Sequence, residues 1–252
     1  MWKLVFGSVQ GTSHTQSGMP CQDYCSGLVS GTTVMAACAD GAGSAELSQL
    51  GSKAAVDRFI KVACGDAEPT KEQLEAWVDS ARENLLEAAS ETGSAPRQLA
   101  CTFLAALVGD GWAAFAQIGD GVIVFDGPAG YELAFWPENG EYANTTRFLS
   151  DEDYRQHLRV EIIPRQVSEL AVLTDGLQML ALDLAGARVH DRFFAPLFKA
   201  VRKGPDETVL QALLLEFMDS KRVNERTDDD KTLLLAARIT PNVSPNLSDA
   251  TA

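Results

Sequence analysis

Four stretches of the chain place aspartates where chemistry is possible. "VMAACADG" and "ELAVLTDG" are apolar runs that end abruptly in Asp40-Gly41 and Asp175-Gly176. "TDDDKTLLL" sets Asp228, Asp229 and Asp230 directly in front of an apolar run. "PCQD" ends in Asp23, immediately before another. A bare carboxylate at the end of a buried strand works against desolvation. Two explanations compete. Asp-Gly is a favoured turn dipeptide, the chain contains five of them, and an aspartate run also reads as solvated charge. Alternatively, strand ends from distant parts of the sequence meet at one edge of a core. Converging carboxylates repel one another unless a cation sits among them, and hard oxygen donors suit Mg²⁺ or Mn²⁺.

Other chemistries find less support. "DGAGS" is glycine-rich but lacks the Lys of a P-loop. No Ser-His-Asp or Cys-His arrangement has motif context, so no covalent nucleophile stands out. Residue types alone leave a two-metal hydrolase and a purely structural reading both open.

Such groups need rigid elements to hold them. The 252 residues, 46% of them hydrophobic, can bury a sizeable core in one or two domains. With 21 basic and 35 acidic residues the formal charge is -14. That balance argues against nucleic acid or an anionic membrane as partner through bulk charge. The odd set Cys21, Cys25, Cys38, Cys64 and Cys101 forms no secreted disulfide framework. It reads mostly as small buried hydrophobes in a reducing compartment. The first apolar run is too short for a signal peptide, and no uninterrupted apolar stretch is long enough to span a membrane. A cytoplasmic location is expected.

Alternating or continuous apolar runs predict strands at "WKLVFGSVQG", "YCSGLVS", "TTVMAACAD", "LACTFLAALVG", "GWAAFAQIG", "GVIVFDG", "YELAFWP", "LRVEIIP", "ELAVLTDG" and "KTLLLAARI". Short Asp-Gly connections between several of them argue for antiparallel pairing. Residues 44–64 have helical spacing, with Leu47, Leu50, Ala54, Ile60 and Ala63 sharing a face. A second helix starts at a Thr70/Gln73 capping box and stops at Gly93. "LQMLALDL", "RFFAPLFKAV" and "ETVLQALLLEFMDSKR" are read as helical, with Pro196 kinking or splitting the middle one. Residues 138–156 read as a loop. The expected domain is residues 1–239, with 240–252 a disordered tail. Antiparallel runs with inserted helix pairs indicate an α+β class.

The segments "GTSHTQSGMPCQD", "ACADGAGSAELSQLGSKAA", "AQIGDGVIVF", "AVLTDGLQML" and "TDDDKTLLLA" follow one another in a recognisable order over nearly the whole chain. In them the chain resembles the metal-dependent protein phosphatases of type 2C, particularly their short bacterial branch. The resemblance implies a four-layer α-β-β-α sandwich of two antiparallel sheets, with a dinuclear Mg²⁺/Mn²⁺ site at one end. It implies that Asp40 bridges both ions and that the Gly41 carbonyl binds one. Asp175 and Asp229 would complete the other, with Asp230 an open alternative to Asp229. Asp23 would bind directly or hold metal waters, and Asp120 matches the position of a third, weaker ion. The implied reaction is hydrolysis of phosphoserine or phosphothreonine in a phosphoprotein by a metal-activated water. A Ser/Thr kinase is the partner the resemblance brings with it.

The departures concern phosphate recognition. Gly18 stands where the family's phosphate-binding Arg would fall, Gln22 where many members have Glu, and Ala42 where some carry a general-acid His. Asp230 replaces the usual Asn. His14, in "GTSH", is the remaining candidate for a phosphate contact, against the alternative of a His packed in a turn. The missing Arg keeps open a second class of function, a phosphatase-like binding or regulatory module with little turnover.

Overall fold

The computed structural model describes residues 1–136 and 146–239; the expected tail lies outside the described residues. The first elements are β1 (Trp2–Val9), α1 (Thr12–Ser17), β2 (Tyr24–Ser30), β3 (Thr33–Ala39), α2 (Ser48–Val62) and α3 (Lys71–Glu91). The middle contributes β4 (Phe103–Val108), β5 (Ala113–Ile118), β6 (Val122–Gly127), β7 (Gly130–Leu133), α4 (Tyr154–His157) and β8 (Arg159–Ile163). Then follow β9 (Glu169–Leu173), α5 (Gln178–Ala181), β10 (Leu182–Asp183), β11 (Arg188–Val189), α6 (Asp191–Lys203), α7 (Glu207–Met218), α8 (Lys221–Asn224) and β12 (Lys231–Arg238).

Two five-stranded sheets carry the fold, in the orders β1-β12-β9-β6-β7 and β2-β3-β4-β5-β8, and every pairing is antiparallel. Strands β3, β4, β5 and β9 are buried along their whole length. Their runs are therefore continuously apolar, because both faces are covered. Three buried clusters separate four layers. One joins α2 and α3 to the β3–β4–β5 side of the second sheet, with Phe59 edge-on to Phe103 at 5.4 Å. One fills the space between the sheets, where Phe115 stacks on Phe125 at 5.0 Å. One packs α6 and α7 under the first sheet. The architecture is the α-β-β-α sandwich.

Helix α3 begins as its sequence demands. The Gln73 amide donates to Thr70 Oγ1 at 3.2 Å, and the Thr70 amide donates to Gln73 Oε1 at 2.9 Å. Helix α2 keeps Ala63 buried and Leu47 and Ile60 against the core as expected, but differs at Leu50. Leu50 is 39% exposed, and the buried positions are Ser48, Gly51, Ser52, Ala55, Val56 and Phe59. Small residues let this helix press against its neighbours; a Cβ on Gly51 would lie 2.0 Å from the Leu99 carbonyl oxygen.

"LQMLALDL" holds only one α-helical turn, Gln178–Ala181, before Leu182 and Asp183 turn outward into the β10–β11 hairpin. Helix α6 runs unbroken through Pro196. "GTSHTQS" folds into the short helix α1, closed by Gly18 in the left-handed conformation at φ 72°. Within the expected loop 138–156, residues 146–156 are described and end in the start of α4. Cys25, Cys38 and Cys101 are buried, whereas Cys64 is exposed. No helix among the described residues is long and apolar enough to cross a membrane.

Candidate metal and active site

Strand register explains why the aspartates meet. Tyr24 pairs with Ala39, so Asp23 and Asp40 extend from neighbouring strand ends. Phe103 pairs with Ile118, which brings the β5–β6 turn and Asp120 to the same end of that sheet. The Thr102 amide then donates to the Asp40 carbonyl at 2.8 Å. In the other sheet Leu173 faces both Val122 and Leu233, placing Asp175 beside the residues that lead into β12. The two sheets thus deliver their carboxylates to one end of the sandwich.

Asp40, Asp120 and Asp175 form the tight group: one carboxylate oxygen from each lies within 4.8 Å of the others. Asp120, which the resemblance matches to the position of a third, weaker ion, is one of these three residues. Its Oδ2 accepts from Thr146 at 2.7 Å, and Gln178 donates to its main-chain carbonyl at 3.0 Å. Asp23 is buried behind Asp40 and accepts from Thr174 Oγ1 at 2.7 Å. The Asp40 amide is held by Thr102 Oγ1 at 3.0 Å. Asp229 lies outside the tight group and is exposed, but its charge reaches both Asp40 and Asp175. Gly41 permits a close approach: a Cβ there would be 2.7 Å from the Gln22 carbonyl and 2.8 Å from Ser48.

Asp229 and Asp230 separate cleanly. Asp230 is buried, and both of its oxygens are engaged. Oδ1 accepts from the Gly11 amide at 2.6 Å, and Oδ2 from the Gln22 amide at 2.6 Å. His14 Nδ1 lies 2.9 Å from the same Oδ2. Asp230 therefore ties α1 and the "PCQD" segment to the start of β12. Among the described residues, the Asp229 carboxylate bonds only to the neighbouring Asp230 amide, at 2.8 Å. Sequence reasoning missed this pinning role, and also missed Thr102, Thr174 and Thr146 as supports of the carboxylates.

Electrostatically the cluster is under tension. Burial pushes the Asp23 carboxyl up to about 7, and the Asp230 charge adds to this, while hydrogen bonds from Thr174 and Thr232 oppose it. Burial raises Asp175 to about 6, reinforced by the charges of Asp120 and Asp229. Asp40 is held well above the ordinary carboxylate range by burial, then by the charges of Asp23 and Asp175. Asp23 Oδ1 and Asp120 Oδ1 are buried without a hydrogen-bond partner. Oxygen donors this close, with unused lone pairs and raised protonation, fit a divalent cation.

The family profile of protein phosphatase 2C matches residues 10–218. The chain belongs to the protein phosphatase 2C family. It is therefore a protein phosphatase, a hydrolase of a metal-dependent family. A curated relative, "Serine/threonine-protein phosphatase 3" of Escherichia coli (strain K12), is 36% identical over 247 residues, covering 93% of this chain and 98% of the relative. Among solved structures, the serine/threonine phosphatase Stp1 from Staphylococcus aureus has a TM-score of 0.63 at 15% identity, covering 94% of this chain and 95% of that one. RsbX, solved in complex with magnesium, has a TM-score of 0.58 at 16% identity, with 94% of both chains covered. At such identities the two structures speak for the fold.

Proposed function

We propose that the chain removes phosphate from phosphoserine and phosphothreonine in phosphoproteins, with two Mg²⁺ or Mn²⁺ ions held by the acidic cluster. The observation that carries this reading is the meeting of Asp40, Asp120 and Asp175 oxygens within 4.8 Å at one end of the sandwich. Asp40 and the Gly41 carbonyl would hold these ions together with Asp175 and Asp229, Asp23 would bind directly or hold metal waters, and Asp120 would take a third, weaker ion. Bound ions of this kind supply Lewis acidity and lower the pKa of a water that attacks phosphorus in line.

The chain's own residues hold this arrangement. Thr102 and Thr174 fix Asp40 and Asp23, and Asp230 anchors the segments that carry His14 and Asp23. His14 Nδ1 lies 2.9 Å from Asp230 Oδ2; with Nδ1–H donating there, the ring reaches a phosphate oxygen only in its doubly protonated form, through Nε2–H. The ester P–O bond breaks as water adds, releasing inorganic phosphate and a free Ser or Thr hydroxyl. A Ser/Thr kinase acting on the same phosphoproteins is the partner this reaction calls for. The magnesium in the RsbX structure supports the choice of a hard cation.

The test is hydrolysis of an aryl phosphate in Mn²⁺ and in excess EDTA, with Asp40→Asn beside the native chain. Turnover in Mn²⁺, none in EDTA and none in the variant is the expected result. Full activity in EDTA would refute the metal assignment. A melting temperature raised by Mn²⁺ without turnover would favour the binding-module reading, which the glycine at position 18 keeps open.

A further inference from the structure

A second feature, joined to the acidic cluster by short links of chain, carries the opposite charge. A cavity of about 360 Å³ opens between α5, α6, α7 and α8. Arg192, Arg222 and Arg226 line it, over apolar residues that include Met179, Phe193 and Phe217. Among the described residues, no hydrogen bond or ion pair reaches any of the three guanidinium groups. In a chain of charge -14, Arg155, Arg165, Arg188, Arg202 and Arg238 each pair with a carboxylate, whereas these three leave their charge free for a partner. Met179 is 71% exposed, so its side chain is open to a partner. We propose that this cavity docks a segment of the phosphoprotein substrate that carries Asp or Glu next to an apolar side chain.

The position fits that occupant. Met179 follows Asp175 by four residues, and Arg226 precedes Asp229 by three. At no more than ~3.5 Å per residue, these links keep the Cα atoms of Met179 and Arg226 within about 14 Å of those of Asp175 and Asp229 respectively. An extended peptide with its phosphorylated residue at the cluster covers that distance in roughly four residues. Arg forks suit carboxylates, and a permanent charge offsets the repulsion an acidic substrate meets from the rest of the surface. The need is also clear. Gly18 offers no guanidinium to the scissile phosphate, so contacts away from the reacting atoms would add to the affinity supplied by the ions and His14.

The inference rests on the phosphatase reading of the acidic site, and two measurements keep them apart. The first is binding of a fluorescent peptide with no phosphate, bearing three Glu around one Leu, compared with the same peptide bearing Gln. The Glu peptide should bind about tenfold more tightly at low salt, with the difference shrinking as salt is added. The preference should vanish in Arg222→Glu/Arg226→Glu and in the milder Arg192→Gln/Arg222→Gln. It should persist in Lys61→Glu, which alters an exposed cation of α2 outside the cavity. The second measurement is kcat/KM on phosphothreonine peptides with Glu or Gln three to five residues from the phosphate, where the same ratio should appear. Equal binding of both peptides, or a preference that survives both double variants, overturns the docking site. Selective binding with no turnover in Mn²⁺ overturns the phosphatase reading instead.

Discussion

Replacing Asp175 by Asn should make the metal-free protein more stable and the metal-loaded protein less so. Burial and the charges of Asp120 and Asp229 raise the Asp175 pKa to about 6 in the folded chain, against ~3.9 for an unfolded Asp. The folded state therefore binds this proton more tightly than the unfolded state. Ionising the group destabilises the fold, an effect absent below pH ~4 and fully developed above pH ~6. The shift corresponds to at most about 3 kcal/mol at neutral pH. Relaxation of Asp120 and Asp229 around the charge brings the expected gain nearer 1–2 kcal/mol. For a chain of this size that is a rise in Tm of roughly 2–8 °C. In millimolar Mn²⁺ the order should reverse, because binding to the folded state adds stability in proportion to ln(1 + [L]/Kd) and the variant loses a ligand. The assay is thermal melting at pH 7.5 in EDTA and in Mn²⁺, repeated near pH 4.5, where the EDTA difference should shrink. A variant less stable than wild type in EDTA, or one that gains as much from Mn²⁺, would refute the reasoning.

Asp230→Asn should destabilise the fold by about 2–3 kcal/mol, read as a lower Tm in EDTA and Mn²⁺ alike, because its carboxylate holds two buried amides and His14; unchanged melting would remove its pinning role. His14→Ala should raise KM for an aryl phosphate with little change in kcat, whereas an effect on melting alone would take His14 out of phosphate binding. Gly18→Arg should cost about 1–2 kcal/mol, seen as a lower Tm, since Gly18 sits at φ 72°; space around it is open, so KM should fall if the added guanidinium reaches phosphate. Asp126→Ala should lower Tm by roughly 1–3 kcal/mol equivalent without altering turnover, because Asp126 Oδ1 accepts from the Ser168 and Glu169 amides at 2.7 and 2.8 Å.

Asp126 also illustrates what the linear sequence hides. "FDG" reads as a hairpin turn, yet Asp126 lies on β6 and clamps the start of β9. Its hydrogen-bonding partners are some 42 residues away, and no local pattern announces them. The strands were legible because apolar runs are punctuated by Asp-Gly, and α3 because its cap is built from adjacent residues. The face of α2 was legible only in part, because Leu50 is the larger hydrophobe while close packing selected Gly51, Ser52 and Ala55. There the controlling quantity is the distance to Leu99 rather than hydrophobicity.

The candidate site divides along the same line. Asp40 and Asp175 were legible as carboxylates at the ends of apolar strands. Asp120 came through only by resemblance, because its meeting with Asp40 depends on β5 pairing with β4, whose start adjoins Asp40. The aspartate triplet was the hardest to resolve. Its members are chemically identical, and only their approach to β12 distinguishes them. Successive side chains entering a strand point to opposite faces; Asp230 turns inward to the amides of Gly11 and Gln22, while Asp229 stays exposed. A carboxylate already saturated by three donors has little to offer a cation, whereas its neighbour keeps its lone pairs. The substitution of Asn by Asp at position 230 thus reads as a stronger anchor for His14 and the "PCQD" segment. It adds a negative charge beside a site that already holds several, which the divalent cations proposed for the cluster would offset.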